Sequence, residues 1–218
     1  MSNPDTYYSR PEVSNSDLTE LKNLLYPCVQ YGDKEKAFKF GSLLDAMITE
    51  PERVRYDKRM VDDIAYSGED WALAEEMKKS LRRESYRDPF LKYVLEKAET
   101  QKSSVNRNQT FEYSSFKYTL DTRCKWDWWL PDMKFGGDLK STAAETQKQF
   151  IECVEFFDWD RSRAWYMDIE KSDQDFIYAI SKKNCKVFKL MIKRDSDIYR
   201  RGKEKYEELA FKWWQLFV

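Results

Sequence analysis

The apolar residues of this chain change period partway along, and that change limits the folds open to it. Up to about residue 100 they recur at intervals of three and four, as on one face of a helix; from Thr110 they alternate, as along a strand. Ser14-Asn15-Ser16-Asp17 caps a helix to about Leu25, which Pro27 stops. A second helix spans Asp33 to about Thr49, with Phe38, Leu43, Leu44 and Met47 at helical spacing. Gly68 to about Arg83 carries Trp71, Leu73, Met77 and Leu81 on a third. Asp88-Pro89 opens a fourth, burying Phe90, Tyr93 and Val94 and ending near Glu99. The first dozen residues read as loose, Arg53 to Arg59 has no definite form, and polar Gln101 to Asn108 reads as a loop.

Strands are expected at Thr110–Tyr113 and Phe116–Trp128, joined by a turn at Ser114-Ser115, and at Gly137–Thr142 after Pro131-Asp132. A helix follows from about Ala144 to Phe157, with Phe150, Ile151, Val154 and Phe157 on one face. Ala164–Ile169, Phe176–Ser181 and Lys186–Ile192 alternate as further strands, and Asp195-Ser196-Asp197 caps a last helix. This order predicts an α/β fold with a mixed central sheet flanked by helices and an N-terminal helical layer. A length of 218 residues is most simply one domain, residues 1–100 forming the helical layer and 105–218 the α/β core. The strand–helix–strand step after residue 140 predicts a right-handed crossover.

Charged residues are 35% of the chain but the net charge is only −1, so any nucleic-acid groove must come from local segregation of charge. No apolar run reaches the roughly 18 residues of a membrane span, and the first eight residues lack the pattern of a secretory signal. Cys28, Cys124, Cys153 and Cys185 stand far apart; they read as buried thiols of a cytoplasmic protein rather than a zinc or iron–sulfur site. The chain has no histidine, which excludes mechanisms that need imidazole and leaves acid–base work mainly to carboxylates, Lys, Tyr and metal-bound water. Against that background one segment stands out: Cys124-Lys125-Trp126-Asp127-Trp128-Trp129, a turn, then Gly136-Gly137-Asp138-Leu139-Lys140-Ser141-Thr142. Asp138 and Lys140 share one face of a strand. A hairpin bringing Asp127 alongside assembles two carboxylates and an ammonium, a set able to hold a hard divalent cation and orient a water for phosphodiester hydrolysis.

These residues resemble the PD-(D/E)xK nuclease superfamily, and within it the phage-type exodeoxyribonuclease VIII-like and lambda exonuclease-like branch. Four blocks in order carry the resemblance. The helix at Ser14–Lys22 resembles the family's opening helix, and Gly41-Ser42-Leu43-Leu44-Asp45-Ala46-Met47 through Glu50-Pro51-Glu52 resembles its Gly-Thr-Ala-x-His segment. Asp127 with Asp138-Leu139-Lys140-Ser141-Thr142 is similar to its metal-binding Asp and Asp-Leu-Lys-Thr-Thr; Trp159–Tyr166 is similar to its helix with a Gln–Tyr signature. On that resemblance Asp160 to about Ile169 is a helix instead of a strand. The chain departs from the pattern at Asp45, where the family has His, and at Ser162, where it has Gln; the family's additional Glu has only Gln109 and Glu112 as candidates.

The resemblance implies a restriction-endonuclease-like core and a metal-dependent exonuclease acting on double-stranded DNA ends in recombination or repair. Asp127, Asp138, the Leu139 carbonyl and Asp45 would hold Mg2+ or Mn2+, with Lys140 polarising the attacking water. Arg161, Arg163 and Tyr166 would contact DNA, and the basic run from Lys182 to Arg194 could track a backbone. Trp126, Trp128 and Trp129 read as core or cleft wall. A homo-oligomeric ring, a single-strand annealing protein as partner and a bacterial or phage-infected cytoplasm are further implications. The alternatives are an endonuclease, or a DNA-binding or assembly protein that has lost catalysis on the same fold.

Overall fold

The computed structural model describes Tyr7, residues 9–27 and residues 33–218, so Cys28 lies outside the described residues. Its helices are α1 (Asn15–Leu25), α2 (Lys34–Thr49), α3 (Gly68–Ser85), α4 (Pro89–Lys97), α5 (Gln147–Phe156), α6 (Trp159–Glu170) and α7 (Asp197–Phe217). The strands are β1 (Val54–Arg55), β2 (Met60–Val61), β3 (Ile64–Ala65), β4 (Glu99–Tyr113), β5 (Phe116–Leu130), β6 (Phe135–Thr142), β7 (Gln174–Ser181) and β8 (Val187–Lys193). Helix starts follow local chemistry. Ser14 and Thr146 form capping boxes, while Asp33, Ser67, Asp88 and Ser196 each accept a hydrogen bond from a first-turn backbone N–H.

The main sheet has the order β4-β5-β6-β7-β8, antiparallel except for the parallel pair β6–β7. That parallel pair needs a crossover, which both α5 and α6 supply. Strand β7 is buried on both sides. Phe176, Tyr178 and Ile180 join a core with Leu43, Met47, Trp71 and Leu91 of α2–α4, while Ile177 and Ala179 face Trp165 of α6 and Tyr206 of α7. The sheet is thus covered on both faces, with α2, α3 and α4 on one side and α1, α5, α6 and α7 contributing to the other.

Three expectations are corrected. Gln101–Asn108 is strand, not loop: β4 is an edge strand whose ladder with β5 runs the length of the hairpin, and its outer side needs no apolar residues. The hairpin turns at Ser114 and Ser115, both with positive φ (48° and 72°), as a two-residue loop matched to strand twist requires. The first dozen residues are not loose throughout, since the Arg10 carbonyl accepts from Arg123 Nη1 at 2.7 Å and Glu12 is buried. The segment Ala164–Ile169 lies in α6, as the resemblance implied, and its alternating apolar residues pack on a helix with Ala164, Trp165 and Met167 buried. Phe38 is not core: it is 77% exposed, and Phe40 fills the core position. No described helix is long and apolar enough to cross a membrane.

Candidate active site

The β5–β6 ladder is short, pairing only Trp128↔Gly137, Trp129↔Gly136 and Leu130↔Phe135. One step beyond the last pair, each strand carries an aspartate: Asp127 and Asp138. The Asp127 carboxylate takes over from the backbone there, its Oδ2 accepting the Leu139 N–H at 2.8 Å. Two glycines permit the approach. A Cβ on Gly136 would lie 2.3 Å from the Trp126 ring, and one on Gly137 2.2 Å from Phe176. On its other side β5 is irregular at the same point. Gln101, between the pairs Thr100↔Trp128 and Lys102↔Trp126, has φ 56°. Trp126 enters the α6–α7 core and Trp128 the α2–α4 core, although residues two apart on a regular strand share a face. The three tryptophans are buried, as core residues rather than stacking platforms.

Helix α2 supplies one wall. Its Leu43, Leu44 and Met47 stripe packs inward, and a second stripe at helical spacing (Lys34, Phe38, Gly41 and Asp45) lines a cleft of about 1290 Å³. Asp127, Leu139 and Lys140 lie in the same cleft, with Glu152, Phe156 and Phe157 from the α5 side. Asp138 lies behind this lining, 4% exposed. Its Oδ2 is in ion contact with Lys140 Nζ without hydrogen-bond geometry, and its Oδ1 is 3.5 Å from Arg163 Nη2. Arg163 also faces Asp175 at 3.7 Å and lies 4.0 Å over the Tyr166 ring. Neither Asp175 oxygen has a hydrogen bond among the described residues.

The electrostatics separate these acids. Burial, reinforced by the charges of Asp45 and Asp138, pushes the Asp127 carboxyl well above the usual carboxylate range. Burial also raises Asp138, but Arg163 and then Lys140 outweigh it and hold that carboxyl below its ordinary value. Burial lowers Lys140, yet Asp138 and Asp127 outweigh it, so the amine stays an ammonium. Asp175 is pushed well up by burial against the pull of Arg163. Asp45 is raised by burial against its bond from Thr49.

Among the described residues no three His, Cys, Asp or Glu side chains are grouped so as to hold a metal ion. Asp45 faces the same cleft, but its Oδ1 accepts from Thr49 Oγ1 at 2.9 Å and its Oδ2 from Gln101 Nε2 at 3.1 Å. The donor set that remains is the Asp127–Asp138 pair, with Asp138 Oδ2 buried and held by its ion contact with Lys140. It fits a small hard cation such as Mg2+, which keeps several waters and takes one or two carboxylates.

The arginines of α6 point inward. Arg161 is 2% exposed and donates to Asn15 Oδ1 (3.0 Å) and Thr19 Oγ1 (2.5 Å) of α1. Arg163 is 1% exposed and Tyr166 is half-buried. This is not the solvated, phosphate-facing surface expected of them, because buried carboxylates and α1 take their donors. In the basic run, Lys189 pairs with Asp88 and Arg194 with Asp168, leaving Lys182, Lys183 and Lys186 at the β7–β8 turn. Of the candidates for the additional family Glu, Gln109 accepts from Thr122 Oγ1 at 2.6 Å and Glu112 pairs with Lys117 at 3.7 Å. Gln101, which sequence reasoning assigned to a loop, is the β4 side chain that reaches the site. Its only sequence signal was the polar run that carries it.

No family model and no curated protein matches the chain. Solved structures do. A "putative exonuclease" from Eubacterium rectale superposes with a TM-score of 0.52 at 16% identity, covering 88% of this chain and 70% of that one. A phage-related exonuclease from Haemophilus somnus 129PT matches more loosely (TM-score 0.41, 10% identity, 98% and 87% coverage). An alkaline exonuclease from Laribacter hongkongensis (TM-score 0.27, 12% identity, 80% and 95% coverage) is looser still. The chain therefore shares the α/β fold of the Eubacterium rectale protein, with the mixed central sheet flanked by helices that the order of elements predicted.

Proposed function

We propose that this protein is a metal-dependent DNA exonuclease that hydrolyses phosphodiester bonds at duplex ends. One observation carries the reading: Asp127 and Asp138 stand side by side where the β5–β6 ladder ends, with Lys140 beside them at a cleft. Asp127 and Asp138 would hold Mg2+ or Mn2+, the Leu139 carbonyl being a further oxygen at the same place. Such an ion supplies an activated water and charge neutralisation at phosphate. Lys140, held as an ammonium, cannot serve as a base; it donates to the water or to the developing phosphate charge. Arg163 keeps Asp138 ionised and fixed from behind.

End-labelled linear duplex and closed circular DNA, each with and without Mg2+, test the proposal. Shortening of the linear form alone, only with Mg2+, is expected. A protein inert on every DNA, or one in which Asp138→Ala stays fully active, would refute it; nicking of the circle would indicate an endonuclease. A specific observation favours a second reading, a DNA-binding or assembly protein without catalysis. The oxygens of Asp45 are taken by Thr49 and Gln101, and among the described residues no third acid joins the pair. DNA binding without cleavage at any metal concentration would select it. A ring-shaped homo-oligomer and a single-strand annealing partner extend the proposal and are open to light scattering and co-purification.

A further inference from the structure

A second pocket, of about 560 Å³, lies across the β7–β8 turn from the cleft. Arg83, Glu84, Tyr86 and Arg87, at the end of α3 and just beyond it, line it together with Cys185 and Lys186, Arg83 being paired with Glu76 at 2.7 Å. The turn is the partition between the two. Lys182 lines the cleft, and Cys185 and Lys186 line the pocket. It is also firmly built. Ser181 Oγ accepts from the Lys183 and Asn184 N–H groups (3.1 and 3.3 Å), and Lys182 N–H donates to Thr142 at 2.7 Å. Asn184 Nδ2 donates to the Glu145 carbonyl (3.2 Å), on the connection that forms the cleft edge.

The cations on this ridge are unspent. Arg87, Lys183 and Lys186 are exposed and make no side-chain hydrogen bond or ion pair among the described residues, unlike Lys189 on β8 and Arg194 just beyond it. Tyr86, beside Arg87, is 87% exposed, an aromatic face with nothing packed on it. In a chain of net charge −1, a cluster of free cations beside a bare ring is the local segregation that phosphate binding needs. The pocket is on the scale of small-ligand sites, so it takes a few nucleotides and not a duplex.

We infer that this ridge and pocket bind the sugar–phosphate backbone of a single DNA strand continuing out of the cleft, with Tyr86 stacking a base. The inference rests on the nuclease reading and names where the strand runs. Its test is the salt dependence of binding to a fluorescein-labelled single-stranded oligonucleotide, followed by anisotropy in EDTA so that nothing is cleaved. Each phosphate neutralised on a single strand contributes about 0.7 to the log–log slope. Arg87→Ala/Lys183→Ala/Lys186→Ala should therefore flatten the slope by about 2, whereas Tyr86→Ala should weaken binding about tenfold at unchanged slope. A control with the same charge change at Lys92, Lys97 and Lys117, none of which lines either pocket, should retain the wild-type slope. A triple variant with the wild-type slope, or a control that loses as much, overturns the inference. Cleavage by the wild type is scored separately: a flattened slope in a protein that never cuts DNA upholds the strand path while rejecting the nuclease.

Discussion

The two aspartates at the β5–β6 junction should respond to neutralisation with opposite effects on stability. Asp138 is 4% exposed and is the carboxylate that compensates Arg163, itself 1% exposed, and Lys140. Asp138→Asn leaves a buried guanidinium whose remaining ion contact among the described residues is Asp175, whose carboxyl burial drives toward the neutral form. Breaking a buried pair by removing one partner costs about 3–5 kcal/mol. The Tyr166 ring 4.0 Å from Arg163 cushions the loss, so the lower end, about 3 kcal/mol, is expected. For a chain of this size that is a fall of about 6–12 °C in Tm. Asp127→Asn keeps an oxygen for the Leu139 N–H and removes a charge that burial, Asp45 and Asp138 all oppose. It should leave stability unchanged or raise it by about 1 kcal/mol. Because the folded-state pKa of Asp127 is raised, wild-type stability falls as pH climbs from its unfolded value toward the folded one. The advantage of Asp127→Asn should accordingly vanish near pH 4 and grow with rising pH. Thermal unfolding by circular dichroism in EDTA, run at several pH values, measures both variants, and both should lose Mg2+-dependent cleavage. Equal destabilisation by the two substitutions, or an Asp138→Asn protein as stable as wild type, would refute the assignment of Arg163 to Asp138.

Asp88 caps α4 and also accepts from Tyr178 (2.6 Å) and Lys189 (2.9 Å), so Asp88→Asn should cost about 1–3 kcal/mol near neutrality. Burial raises its carboxyl, but Tyr178 and Lys189 outweigh it and hold it low; in chemical denaturation the difference from wild type should shrink as pH falls below about 4. Gly137→Ala forces a methyl to 2.2 Å from the buried Phe176 ring and should cost at least about 1–3 kcal/mol, read as a lower urea midpoint at unchanged m. Phe38→Ser, in the cleft wall, should change stability by no more than about 0.5 kcal/mol, whereas Phe40→Ser should cost about 3–5 kcal/mol; matching losses would reject the two-stripe reading of α2.

What the sequence disclosed was whatever depends on near neighbours in the chain. Ser14, Asp88 and Ser196 cap helices through bonds spanning two or three residues, and the Asp138–Lys140 spacing fixes their common face whatever lies beyond the strand. The approach of Asp127 to Asp138 was also legible, because a hairpin leaves few registers, whereas the close packing at Gly136 and Gly137 that permits it shows only in the structure. What stayed hidden depends on partners distant in sequence. Gln101 looked like loop because an edge strand needs little apolar pattern, and its contact with Asp45 spans 56 residues and a left-handed backbone turn. Arg161 and Arg163 looked like a solvated surface because arginine usually is one. Only folding reveals that α1 and the carboxylates at 138 and 175 draw them inward. The same logic explains Phe38: helical spacing defines stripes, and α2 has two, so periodicity alone cannot say which is buried. The stripe containing Asp45 faces the cleft because Leu43, Leu44 and Met47 exclude more water against the sheet than Phe38 could by itself. The site is thus positioned by the burial of α2's other face, and its supporting residues are invisible until that face has chosen its side.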